Sequence, residues 1–311
     1  MPKQTIGFIG LGTMGSRMSK KLLNAGHWLV GYDVEPSCLE DFTKNGGISA
    51  GSPAEVARKS EIIITMLPSS PHVEKVSLGV EGIIEGINPG SIYIDMSTID
   101  PITTRRVGSE LAIKKVEMLD CPVSRGVDAA EKGTLSIYVG GKEDVFKKVL
   151  PVLKQMGTDI DFMGPLGSGA VAKLTNNLIA AGIVAITTEA FVFGAKAGVD
   201  PDRLFNAVAG GSGDSFPLRK HIKKYSLTRN FEEKIFPVDF IMKDIDLGLA
   251  TAKSLDLPMP VASHIREIYA MSKARGYGKG YYPDVIRFFE DFAGIEVKSK
   301  EAGKRKGKKD D

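Results

Sequence analysis

Lys173 stands in GSGAVAKLTNNLIAAGIVAITTEAF (residues 167–191), a stretch of Leu, Ile, Ala, Val and Gly with no other charged side chain between Phe162 and Thr188. A lone ammonium among apolar residues is costly unless something employs it. Burial disfavours the charged form of an amine, which suits a group that must take up and return a proton. Asn177 follows four residues on, on the same face of a helix, with Asn176 at its edge. An amine, an amide and a glycine-lined helix start can converge on a small polar substrate. Two plainer readings of the lysine stay open: a head turned out to water, or a partner carboxylate elsewhere in the chain.

A second constellation lies near the N-terminus. The run TIGFI leads into Gly10-Leu11-Gly12-Thr13-Met14-Gly15, and helical periodicity follows through Met18, Leu22 and Leu23 up to Gly26. In that strand–turn–helix setting the first glycine allows the tight turn, the second lets the backbone approach a pyrophosphate, and the third lets helix and strand pack. The helix start offers N–H groups and a positive dipole end to phosphate. Asp33 ends the next strand, WLVGYD, eighteen residues after Gly15. A carboxylate there accepts from ribose hydroxyls and repels a 2′-phosphate, which favours NAD over NADP.

The positioning elements follow from the pattern. EIIITMLP (61–68) and SIYIDMST (91–98) read as buried strands of an open parallel sheet. Their carboxyl ends place Met66, Leu67, Pro68, Ser97 and Thr98 where the nicotinamide ring and its ribose bind. VEMLDCPV and LSIYVGG supply two more strands, and DIDFMG an edge. After GPLGSG the pattern turns helical: one long helix over 168–198, then helices in PDRLFNAVAGG, FPVDFIMKDIDLGLATAKSLDL, PVASHIREIYAMSKARG and YPDVIRFFEDFAG. A helix apolar nearly all round is expected to be buried, here joining two domains. The reading is an α/β dinucleotide-binding domain at 1–164, an all-α domain at 165–297 joined by that long central helix, and a disordered basic tail at 298–311.

Composition narrows the function classes. The chain has 311 residues, 42% hydrophobic and 25% charged, with net charge +3. Its last fourteen residues carry seven basic and three acidic groups, so the body is nearly neutral and offers no nucleic-acid patch. Two cysteines form no disulfide framework, and His27, His72, His221 and His264 are too dispersed for a metal site. The apolar core LIAAGIVAITT falls short of the roughly 20 residues that span a bilayer, and a first strand at Thr5 leaves no room for a signal peptide. A cytoplasmic enzyme without a metal is expected.

GFIGLGTMG, ITMLPSSPHVEKVSLGVEGIIEG, IDMSTIDP, DCPVSRG, GTLSIYVGG and GSGAVAKLTNN occur in order across residues 4–297. Together they resemble the β-hydroxyacid dehydrogenases, above all the 3-hydroxyisobutyrate dehydrogenases and tartronate semialdehyde reductases. The resemblance implies a Rossmann domain, an all-helical second domain and a homodimer or homotetramer. It also implies NAD(P)-dependent oxidation of a small β-hydroxy acid to its semialdehyde, or the reverse. Lys173 would be the general acid/base and Asn177 would hold the substrate. Ser124 and the backbone around Gly126 would take its carboxylate, and Lys243 would sit near the nicotinamide half. Read from sequence alone, Lys243 and Asp244 look like a solvated helix pair. One residue departs from the family pattern: Arg125 replaces the first glycine of PVSGG. A guanidinium there either points to solvent or meets a second anionic group, which would suit a doubly anionic substrate. A non-catalytic dinucleotide-binding module is the alternative of another class, and the retained Lys173 and Asn177 oppose it.

Overall fold

The computed structural model describes residues 3–231, 236–300 and 302. It divides into two compact units, Met1–Leu174 and Thr175–Asp311. The first is built on one sheet, which among the described residues comprises β1 (Thr5–Ile9), β2 (Trp28–Tyr32), β3 (Ile48–Ser49), β4 (Ile62–Thr65), β5 (Ile92–Asp95), β6 (Glu117–Asp120), β7 (Val123–Ser124), β8 (Leu135–Gly140) and β9 (Gly157–Gly164). The order is β3-β2-β1-β4-β5-β6-β8-β7, with β9 also on β8. Helices cover both faces, which is why the strands are apolar throughout rather than alternating. Ile6, Phe8, Ile64 and Ile94 belong to one core cluster, and Ile9, Ile63 and Tyr93 to the other.

The sheet departs from the expected parallel arrangement beyond β6. β8 runs antiparallel to β6 and β7, and β9 is parallel to β8. β6 and β7 run in the same direction, and the chain reverses between Ser124 and Leu135, through the short helix Val127–Lys132. The pattern also hid β3 and the helices Pro36–Lys44 and Pro53–Arg58. A two-residue strand has no periodicity to read, although proline in the first turn of each helix, and Ser52 accepting from the Glu55 N–H, are legible start signals.

The long helix spans Ser168–Lys196 and runs from the first unit into the second. The second unit adds Pro201–Ala209, a π-helical turn at Leu218–Ser226, Val238–Lys253, Pro260–Ser272 and Val285–Ala293. Its core gathers Ala181, Val184, Phe191, Ile222, Tyr225, Ile241, Ile245, Tyr269 and Ile286. Together the units form a Rossmann-type α/β domain followed by an all-helical domain.

Two expectations need correction. The long helix is not buried all round: Ile179, Ile186 and Phe193 are 59, 60 and 74% exposed. Their seven-residue spacing puts them in one apolar row on the face opposite the core. By length and composition this helix is also able to cross a membrane, but its Lys173 and Asn177 are buried and its other face packs into the core of the second unit, as in a core helix. The tail, read as disordered from 298, is ordered at its start. Ser299 is buried, its hydroxyl donating to Asp202 at 2.9 Å and its N–H to the Leu227 carbonyl at 2.8 Å, while Lys300 pairs with Asp200. Residues 303–311 lie outside the described residues.

Candidate active site

The glycine turn has the shape that the motif requires. Gly10 has φ +90°, and a Cβ there would strike the Met66 carbonyl. A Cβ on Gly15 would strike the Gly10 carbonyl, so helix Gly15–Asn24 can pack only with glycine at its head. A Cβ on Gly12 would meet nothing within 4 Å, and Gly12 and Thr13 are exposed. That open backbone edge is where a pyrophosphate fits. Asp33 is bound into the same turn: its Oδ2 accepts from the Leu11 N–H at 2.6 Å and its Oδ1 from the Glu35 N–H at 2.9 Å. The residues present therefore fit a dinucleotide.

A buried polar network ties down the next two strand ends. The Thr65 hydroxyl donates to Asp95 Oδ1 at 2.8 Å and meets the Tyr93 hydroxyl at 2.8 Å. The Ser97 N–H also donates to Asp95 Oδ1, and the Leu67 N–H donates to Ser97 Oγ at 2.8 Å. Met66, Leu67 and Thr98 are half-buried and Pro68 exposed beside this lattice. Sequence reasoning named these loop residues but not Asp95 and Tyr93, which tie Thr65 and Ser97 together beside them.

Asp120 was missed as well, and it sets the start of the lysine helix. It lies at the end of β6 and is 2% exposed. Its Oδ1 accepts from the Gly167 N–H and its Oδ2 from the Ala170 N–H, both at 2.7 Å. These are N–H groups that a helix start cannot satisfy internally, and a carboxylate there also meets the positive end of the helix dipole. Burial pushes the Asp120 carboxyl up to about 6, against the opposing pull of the two N–H groups. Glycines at 140 and 169 permit the approach: a Cβ on Gly169 would overlap the Tyr138 carbonyl, and one on Gly140 would overlap Asp120 Oδ1. The readable signal was an acid ending an apolar strand. One turn further along, Lys173 is 7% exposed, so its head is not turned out to water.

Asn177 is 6% exposed, and its Nδ2 donates to Asp244 Oδ2 at 2.5 Å. A carboxylate only accepts, so it fixes which end of the amide faces it. Asn176 Nδ2 donates to Asn177 Oδ1 at 3.0 Å. Asp244, in helix Val238–Lys253, also pairs with Lys243 at 3.1 Å. Asp244 is 1% exposed and Lys243 half-buried, which corrects the reading of a solvated pair: Asp244 belongs to the polar interior around Asn177.

Ser124 closes β7, paired with Ser136 of β8. Gly126 follows at φ +76° and ψ −164°, a conformation open essentially to glycine alone. Between them Arg125 has φ +83°, and its guanidinium reaches Asp159 of β9 at 2.5 Å. His221, read as a surface or packing residue, is held in an aromatic nest and bonded to the Tyr281 hydroxyl, and burial lowers its pKa to about 4.

A fold with a glycine cradle at the head of a parallel sheet and a buried lysine on the following helix defines a dinucleotide-dependent oxidoreductase. A family model described as the NAD binding domain of 6-phosphogluconate dehydrogenase matches residues 5–164. A second, described as the NAD-binding domain of NADP-dependent 3-hydroxyisobutyrate dehydrogenase, matches residues 167–289. The chain is 36% identical to a probable mitochondrial 3-hydroxyisobutyrate dehydrogenase of Dictyostelium discoideum, over 92% of this chain and 90% of that one. It is 33% identical to the 2-(hydroxymethyl)glutarate dehydrogenase of Eubacterium barkeri, over 94% and 97%. The solved structure of Mycobacterium tuberculosis 3-hydroxyisobutyrate dehydrogenase with L-serine is similar, with TM-score 0.86 and 29% identity over 92% of this chain and 98% of that one. This chain belongs to the β-hydroxyacid dehydrogenase family, and its reaction is the NAD(P)-dependent oxidation of a hydroxy acid or the reverse reduction.

Proposed function

We propose that this protein is an NAD-preferring dehydrogenase of a small, singly anionic β-hydroxy acid of the 3-hydroxyisobutyrate type, with Lys173 as its general acid/base. The observation that carries the reading is the buried amine of Lys173 one turn from the Asp120-clamped helix start, in a chain that also has the glycine cradle. The bound dinucleotide supplies the hydride acceptor for oxidation and the donor for reduction. Lys173 Nζ takes the hydroxyl proton as the carbinol carbon becomes a carbonyl, and returns it in the other direction. Ser124 and the Gly126 backbone bind the substrate carboxylate. Asn177, its amide fixed by Asp244, orients the hydroxyl-bearing end, and Lys243 serves the nicotinamide half. Gly10 to Gly15, Met66, Leu67, Pro68, Ser97 and Thr98 hold the cofactor, and Ser97 and Thr98 also border the substrate.

Preference for NAD rests on the Asp33 side chain held in the turn, since a carboxylate there repels a 2′-phosphate. Preference for a monoanion rests on Arg125, whose guanidinium is engaged by Asp159. The Eubacterium barkeri relative, named for a dicarboxylate, keeps the doubly anionic alternative in the test. The exposed row Ile179, Ile186 and Phe193 supports a homodimer or homotetramer in which a second copy covers it. A cytoplasmic location is part of the same proposal and rests on the composition. Initial rates of dinucleotide reduction with 3-hydroxyisobutyrate, serine, glycerate, 3-hydroxypropionate and dicarboxylic analogues test the substrate class. A clear preference for a dicarboxylate would overturn the monoanion reading.

A further inference from the structure

Arg125 occupies a backbone conformation that L residues seldom adopt, at a position where the family resemblance has glycine. At φ +83° a side chain crowds its own backbone, so the segment relaxes unless something holds it. Its guanidinium supplies the hold. Arg125 Nη1 donates to Asp159 Oδ2, to Thr158 Oγ1 at 3.4 Å and to the Thr134 carbonyl at 3.3 Å. Those partners lie on two segments, the approach to β8 and the edge strand β9. Asp159 is itself oriented, because the Thr158 hydroxyl donates to the same Oδ2 at 2.7 Å. That hydroxyl and then Arg125 hold the Asp159 carboxyl below the usual range, so Asp159 stays charged across neutral pH.

We propose that Arg125 and Asp159 form a latch that fixes the Ser124–Gly126 turn in its substrate-binding shape, making Arg125 a positioning residue and not a contact for a second anionic group. The inference rests on the proposed role of Ser124 and Gly126 in binding the substrate carboxylate. A relative with glycine here adopts the positive φ without strain but leaves the turn loose. This chain accepts strain at one residue and removes the freedom by tethering its side chain to the neighbouring strand. Both partners are roughly half exposed, and exposed ion pairs add little to global stability. The effect therefore falls on the turn. Because the turn binds the carboxylate equally before and during reaction, it falls on KM more than on kcat.

Three variants separate backbone from side chain. Arg125→Ala keeps an L residue at positive φ without the latch and should raise KM for the hydroxy acid about tenfold. Arg125→Gly removes latch and strain together and should recover part of that loss. Asp159→Ala should raise KM several-fold in the native background, yet have no further effect on Arg125→Gly, as expected for a pair acting as one unit. KM of the native enzyme should climb with salt, and that of Arg125→Gly should not. Equal KM for the Ala and Gly variants would overturn the latch. So would additive loss on combining Asp159→Ala with Arg125→Gly, or an Arg125→Gly defect confined to dicarboxylates. Limited proteolysis reads the same latch without any turnover. Trypsin should leave the Arg125–Gly126 bond of the native protein intact and cut it in Asp159→Ala, with the site located by mass spectrometry. Equal cutting of both proteins would refute the latch even if the dehydrogenase reading held, and protection without activity would leave the latch standing while sinking that reading.

Discussion

At Lys173 the proton-transfer role can be separated from the packing role. Lys173→Met keeps an apolar stem of similar length and loses only the amine. Lys173→Arg keeps a cation that cannot give up its proton. Both should lower kcat by about 10²–10⁴-fold in variants that stay folded. A matching fall in melting temperature and rate would mean that the lysine is structural. Asp33 gives a second residue-scale prediction. Asp33→Asn should raise the NADP+ to NAD+ ratio of kcat/KM by at least about tenfold, a change of ~1.4 kcal/mol, measured with both dinucleotides at fixed substrate. In the sequence Lys173 stands out as a charge in an apolar stretch, Asn177 by its spacing of four from Lys173, and Asp33 by its place at the end of the strand after the glycine turn. Asp244 does not stand out, since an acid next to a lysine on a helix looks solvated until the tertiary fold buries it.

At the scale of elements, the lysine helix is placed by the ends of β6 and β8. Asp120 caps its start, and Gly140 and Gly169 let strand and helix touch. The folded chain holds the Asp120 proton up to about pH 6, whereas an ordinary aspartate releases it near 3.8. Between those values the native state binds more protons than the unfolded chain, so this group's contribution to stability declines as pH rises from about 4 to 6 and is level above. The full span is about 3 kcal/mol. Asp120→Asn does not titrate, so its stability relative to the native protein should improve from pH 4 to 6 and stay constant beyond, in urea melts at each pH. A difference independent of pH would mean that Asp120 is ionised throughout. The glycine turn, the strands and the later helices were readable because each repeats a period or carries a start or stop residue. β3, the antiparallel β8 and the π-helical turn at Leu218–Ser226 were not, because short strands have no period and strand direction is decided by partners distant in sequence.

For the whole molecule, the exposed row Ile179, Ile186 and Phe193 continues into a groove of about 460 Å³ lined by Val192, Phe193, Phe289, Phe292 and Ala293. Phe193→Asp should shift the protein to a smaller species in sedimentation velocity without unfolding it, and an unchanged sedimentation coefficient would remove this face from the assembly. Periodicity showed the helix to be apolar all round, but a sequence does not say whether its own chain or a second copy covers each side. The most direct test of the central claim is the appearance of reduced-nicotinamide absorbance when native protein, NAD+ and 3-hydroxyisobutyrate or a close β-hydroxy acid are mixed, with Lys173→Met run alongside. Turnover by the native protein and its near-complete loss in a folded, NAD-binding Lys173→Met variant is the predicted result. Comparable turnover by both proteins, or none by a native protein that binds NAD, would contradict it.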